Sequence, residues 1–115
     1  MSIERIEPGV RFSEAVAYGN LVFLAGHTAS VEDAPVYDQT VDILAQIDAH
    51  LAAAGTDKSR LLSVSIWLSD IDTFAEMNRA WDEWLDRENM PVRATVEARL
   101  ARPGWKVEIA GIAAR

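Results

Sequence analysis

The chain begins with short apolar runs broken by glycine and proline, then changes period twice. Residues 3–7 (IERIE) alternate weakly and stop at Pro8-Gly9, a turn signal. Residues 11–18 (RFSEAVAY) and 20–25 (NLVFLA) meet at Gly19-Asn20 and read as a hairpin. The second run is continuously apolar, as expected of a strand covered on both faces. From Val36 to Ala54 the spacing becomes three and four: Tyr37, Val41, Leu44, Ile47, Leu51 and Ala54 form one helical face. Pro35 suits its first turn and Gly55 its stop.

Residues 61–68 (LLSVSIWL) return to period two, with Leu62, Val64, Ile66 and Leu68 on one parity. Asp70 or Asp72 caps a second helix running to about Asp86, with Phe74, Met77, Trp81, Trp84 and Leu85 as its stripe. Two further strands follow, 92–100 and 105–113, separated by Arg102-Pro103-Gly104. The order β-β-β-α-β-α-β-β predicts an α+β fold with two helices on one face of a mixed sheet. The other face then needs a partner or water. The 115 residues make a single domain, 1–115, with no repeat or linker.

Strand 92–100 carries the clearest chemical pattern. Val92, Ala94, Val96, Ala98 and Leu100 share one parity; Arg93, Thr95, Glu97 and Arg99 share the other. The apolar row is expected to meet the helices and the polar row to face away from them. A solvated row of cross-strand ion pairs is the bland reading. The sharper one is a recognition surface, because the planar fork of arginine grips a carboxylate through two parallel charge-assisted bonds. Glu108 stands in an otherwise apolar strand, either pairing with a cation or poised as an acid/base. Asn78 falls inside the apolar stripe of the second helix, where it satisfies backbone groups or reaches a ligand.

Charge narrows the field. The chain has 18 acidic and 11 basic residues, a net charge of -7, and no clustered basic stripe, which makes nucleic-acid binding an unlikely function. Cysteine is absent, removing disulfides and thiolate chemistry. His27 and His50 show no metal-ligand spacing, one expected in a loop after a strand and the other on a helix, so no metal site is expected. There is no phosphate-binding glycine loop and no GxSxG elbow. The N-terminal segment lacks an apolar stretch, and no run approaches the about 18 apolar residues of a spanning helix, so a cytoplasmic address and no membrane contact are expected.

Several stretches, in order and over essentially the whole chain, resemble the RidA (YjgF) family, most closely its YoaB-like branch. They are GNLVFLAG, then QTVDILAQIDAHLAAAGTDKSRLLSVSIWLSDIDTFAEMNRAWDEW, then PVRATVEARLARPGWKVEIAGIAA with its Pro-x-Arg strand start and Val-Glu-Ile strand. The resemblance implies a chorismate-mutase-like α+β fold and a homotrimer with ligand pockets between neighbouring subunits. It implies an imine deaminase, a hydrolase that turns reactive enamine/imine intermediates into 2-keto acids and ammonia without a cofactor. Arg93 would hold the substrate carboxylate and Glu108 would help place the attacking water. Asn78 and Thr95 fall at pocket positions, as do Phe12, Ala25, Gly26 and His27. At three of these the chain departs from the family: Phe12 replaces a tyrosine, Ala25 a serine and His27 a glutamine, so two hydroxyls are missing. A non-catalytic trimer binding a small carboxylate is the alternative; an endoribonuclease ranks last on charge.

Overall fold

The computed structural model describes all 115 residues. Six strands and two helices follow the expected order: β1 (Ile3–Pro8), β2 (Ser13–Tyr18), β3 (Leu21–Thr28), α1 (Val36–Ala53), β4 (Leu61–Leu68), α2 (Phe74–Trp84), β5 (Val92–Glu97) and β6 (Val107–Ala114). They form one sheet in the order β1-β2-β3-β6-β4-β5. Every neighbouring pair is antiparallel except β4 and β5. Parallel strands need a crossover, and α2 supplies it.

Both helices cover the same face. Ala15, Ala17, Val22, Leu24, Val64, Ile66, Leu68, Val107 and Ile109 point at them and pack against Ile43, Leu44, Ile47, Leu51, Met77 and Trp81. Each large side chain so buried contributes about 1.5–3 kcal/mol relative to exposure.

Alternation failed to place some residues. The buried face of α1 is Val36, Gln39, Thr40, Ile43, Leu44, Ile47 and Leu51, whereas Val41 is 46% exposed. The face is rotated because two polar residues are satisfied inside it. Gln39 Nε2 donates to the carbonyls of Ala34 and Gly104 (3.0 Å each), and its Oε1 accepts from the Lys106 N–H. Thr40 Oγ1 donates to the Val36 carbonyl at 2.7 Å. In β4 a register shift between Leu61 and Ser63 buries Leu61 and exposes Leu62, contrary to the strict parity expected. A second shift, between Leu24 and His27, lets β3 run on to Thr28, so His27 is a strand residue and not a loop residue.

The faces of β5 are reversed from the expectation. β5 pairs with β4 in the register Val64↔Arg93 and Ile66↔Thr95. Val64 and Ile66 are buried under the helices, so Arg93 and Thr95 point to the helix side. Val92 and Val96 take the other face and are 70% and 51% exposed. Phe23 and Leu21 are exposed on that same face. No helix of the chain is long and apolar enough to cross a membrane.

Candidate functional site

The edge strand β5 and helix α2 enclose a cationic notch. The guanidinium carbon of Arg93 lies 5.2 Å from the ring centroid of Trp81 and 5.7 Å from that of Phe74. The aromatic faces favour a cation there. Burial draws the Arg93 pKa down, opposed by the charge of Asp82. The guanidinium stays charged even so. Its N–H groups have no hydrogen-bond acceptor in the chain, and the ion pairs all involve other residues. The expected bland partner, Glu97, is occupied elsewhere: it accepts the Ile71 N–H at 3.0 Å, steadying the turn that opens α2.

Thr95 follows on the same face of β5. Its Oγ1 is buried with no hydrogen-bond partner. An orphaned hydroxyl costs about 1–3 kcal/mol. Asn78, half-buried, lies four residues after Phe74 and three before Trp81, on the side of α2 that faces Arg93. The notch thus gathers an unpaired guanidinium, an unpartnered hydroxyl and an amide against aromatic walls. A planar carboxylate is the group such donors suit best.

Glu108 lies on the opposite face of the sheet. Val107 and Ile109 are buried beneath the helices, so the Glu108 side chain between them points to the open face. Burial pushes its pKa up. It has no counter-ion in the chain. The carboxyl lies over Gly26 in the irregular part of β3; a β-carbon on Gly26 would collide with it. Ala25 precedes Gly26 and lends its carbonyl to the Nδ1–H of His27 at 2.6 Å. Phe12 sits in the loop between β1 and β2, 60% exposed. That loop lies at the far edge of the sheet from β5.

The expected residues therefore form two groups. Arg93 and Thr95 share the helix side of β5, with Asn78 on the face of α2 that carries Phe74 and Trp81; Glu108 and Gly26 meet on the other face, with Phe12 distant from Arg93. The largest cleft in the chain, about 460 Å³, is lined by Asp33, Thr73, Glu76 and Lys106 among others and contains none of these residues.

His27 departs from the expected group. Its ring is buried on the helix side, with Nε2 2.7 Å from Nδ1 of His50 on α1. Glu14 Oε2 approaches the same Nε2 at 3.5 Å, and Glu7 Oε2 lies 3.1 Å from His50 Nε2. Burial holds the His27 pKa down. The pattern of the sequence missed this cluster because its members are scattered over four elements and share no spacing. The only signal was that both histidines of the chain take part.

The fold and this edge notch define a class of α+β proteins, and the comparisons place the chain in it. A family model described as "Endoribonuclease L-PSP" matches residues 2–115. A RutC family protein of Haemophilus ducreyi is 47% identical over 107 residues, covering 93% of this chain and 92% of the relative. The RutC family protein YoaB of Escherichia coli is 43% identical over 114 residues, covering 99% of each. A crystal structure of a YjgF family member from Neisseria meningitidis superposes with a TM-score of 0.96 at 44% identity, covering 100% of this chain and 96% of the other. The chain belongs to this L-PSP family, also called RutC, YjgF or RidA.

Proposed function

We propose that the chain is a cytoplasmic homotrimer that hydrolyses small enamine/imine acids to 2-keto acids and ammonia in pockets between its subunits. The observation that carries this reading is the partly buried Arg93 guanidinium, held over Trp81 with no carboxylate of its own, beside the orphaned hydroxyl of Thr95. The open sheet face, with Phe23, Val92 and Val96 exposed, is the surface that assembly would cover. Assembly would also bring Phe12 and Glu108 of one subunit toward Arg93 of the next.

The reaction then needs little machinery. Arg93 fixes the substrate carboxylate and so orients the C=N bond. Glu108 of the neighbouring subunit takes a proton from water as the water oxygen bonds to the imine carbon, and returns that proton to the nitrogen. The carbinolamine collapses: the hydroxyl proton passes by way of Glu108 to the departing nitrogen, the C–N bond breaks, the oxygen becomes the keto oxygen, and ammonia leaves. The raised pKa of Glu108 suits a base working nearer neutrality. The name of the family model suggests RNA cleavage, but a net charge of -7 argues against a phosphate-binding surface.

Phe12 and Ala25, which lack hydroxyls, favour one second reading: a trimer that binds a small carboxylate without turnover. A coupled assay with 2-iminobutyrate generated in situ separates the two. Hydrolysis above buffer that vanishes in Arg93→Ala supports the enzyme. Binding of 2-ketobutyrate with no rate above buffer overturns catalysis in favour of the sensor.

A further inference from the structure

The two histidines and Glu14 lie outside the proposed pocket, and nothing in its chemistry uses them. One ligand atom from each of Glu14, His27 and His50 falls within 4.8 Å of the others. Hydrogen bonding fixes where the ring protons sit. His27 Nδ1 faces the Ala25 carbonyl at 2.6 Å, and a carbonyl only accepts, so Nδ1 carries a hydrogen. His50 Nε2 faces the Glu7 carboxylate at 3.1 Å and donates to it. Both outer nitrogens are thus donors. A neutral imidazole has one N–H, which leaves lone pairs on the two inner nitrogens, His27 Nε2 and His50 Nδ1. These face each other at 2.7 Å. Two lone pairs do not approach so closely unless a cation lies between them.

A proton shared by the two rings would engage the Glu14 carboxylate through its charge alone, with no bond to it. That carboxylate stands 3.5 Å from His27 Nε2 and its side chain is only 33% exposed. A metal ion engages all three groups. We propose that His27 Nε2, His50 Nδ1 and the Glu14 carboxylate bind a divalent transition-metal ion, Zn²⁺ foremost, between β2, β3 and α1. Two imidazole nitrogens and a carboxylate oxygen are a donor set that zinc favours, with a fourth position left for water. The outer hydrogen bonds are those that orient metal-bound histidines, one to a carbonyl and one to a carboxylate. Glu7, which supplies that carboxylate, is held at a positive φ of 46°, a conformation non-glycine residues avoid. Strain of this kind persists where the surroundings require it.

Geometry asks for one adjustment. Tetrahedral coordination at about 2.0–2.1 Å sets the two nitrogens about 3.3 Å apart, so the rings must separate slightly. The buried His27 is anchored through Ala25, whereas the outer nitrogen of His50 meets only the exposed Glu7 carboxylate, so His50 is the ring that shifts. A bound ion would pin the irregular stretch of β3 to α1, immediately beside Gly26 and hence Glu108.

The test uses untagged full-length protein, stripped with a chelator and titrated with Zn²⁺ by calorimetry and with Co²⁺ by visible absorption. The expected result is one ion per chain and the d–d bands of a four-coordinate cobalt site. His27→Gln, His50→Gln and Glu14→Gln should each weaken Zn²⁺ binding by at least ~10-fold, with Arg93→Ala unchanged. Wild-type protein giving neither zinc heat nor cobalt bands overturns the proposal, as does binding that survives all three substitutions. Imidazole ¹⁵N spectra of the wild type need no variant to fold. A shared proton that excess Zn²⁺ leaves in place would assign the gap to the proton and overturn the metal site.

Discussion

Arg93 and Glu108 project from opposite faces of one sheet. Arg93 is paired in register with the buried Val64, and Glu108 sits between the buried Val107 and Ile109. Strand alternation fixes both directions. A carboxylate held by Arg93 therefore lies on the far side of the sheet from the Glu108 of the same chain. Cooperation between the two requires a second subunit.

Arg93 packs on Trp81 and Phe74 but has no ionic partner in the chain, so its loss should cost binding far more than stability. Arg93→Lys should be nearly as damaging as Arg93→Ala, because a point charge does not replace a planar fork. Each should cost on the order of 2–4 kcal/mol of affinity for 2-ketobutyrate, read by calorimetry. Thermal melts should stay close to the wild type, since relief of a partly buried cation offsets the packing lost on Trp81 and Phe74.

Glu108 predicts the pH behaviour. Burial raises its pKa, and a general base must be ionised. The acid limb of kcat/KM should therefore lie above the ordinary glutamate range, with activity falling as pH falls through the raised value. Stability has the opposite sign. A folded pKa above the unfolded one stabilises below the unfolded value, about 4.3, and this is lost as pH rises through the folded value. Glu108→Gln should remove that loss, giving a melting temperature at neutral pH at or above the wild type and an activity near zero.

Gly26 leaves room for the Glu108 carboxyl. Gly26→Ala places a methyl group where that carboxyl lies. The clash is with the end of a flexible side chain, so stability should change by no more than about 1 kcal/mol. kcat/KM should fall nonetheless, because the base is displaced. A crystal structure of the variant should show Glu108 in a different rotamer.

Phe12→Tyr combined with Ala25→Ser restores two hydroxyls that the resemblance places in the pocket. The double variant should raise turnover of small imino acids with assembly unchanged by light scattering. A correctly assembled variant with no gain would place the limit elsewhere in the pocket.

The order of elements was legible in the sequence because the spacing of apolar residues is set locally, near two in the strands and three to four in the helices. Faces were less so. The row Arg93, Thr95, Glu97 read as the side turned from the helices, since polar residues usually face water. In the folded chain β5 is an edge strand whose register with β4 turns Arg93 and Thr95 toward α2, and no local pattern encodes that register. Gln39 and Thr40 were absent from the expected face of α1 because polar residues usually face water; Gln39 is satisfied by the distant Gly104 carbonyl and Thr40 by the Val36 carbonyl one turn back. Arg93 and Thr95 were named from the sequence and share the helix side of β5, and Asn78 falls on α2 between Phe74 and Trp81, the two rings that Arg93 meets. The contact between His27 and His50 could not be read, because it joins residues 23 positions apart through a register shift in β3.

The most direct test of the shared pocket mixes two inactive variants. Arg93→Ala and Glu108→Gln are combined in equal amounts, unfolded, refolded together and assayed for hydrolysis of 2-iminobutyrate, with mixed trimers verified by native mass spectrometry. If each pocket takes Arg93 from one subunit and Glu108 from its neighbour, about a quarter of the pockets in a random mixture carry both native residues. The account predicts recovery of about a quarter of the wild-type rate. Mixed trimers with no activity above either parent would contradict it.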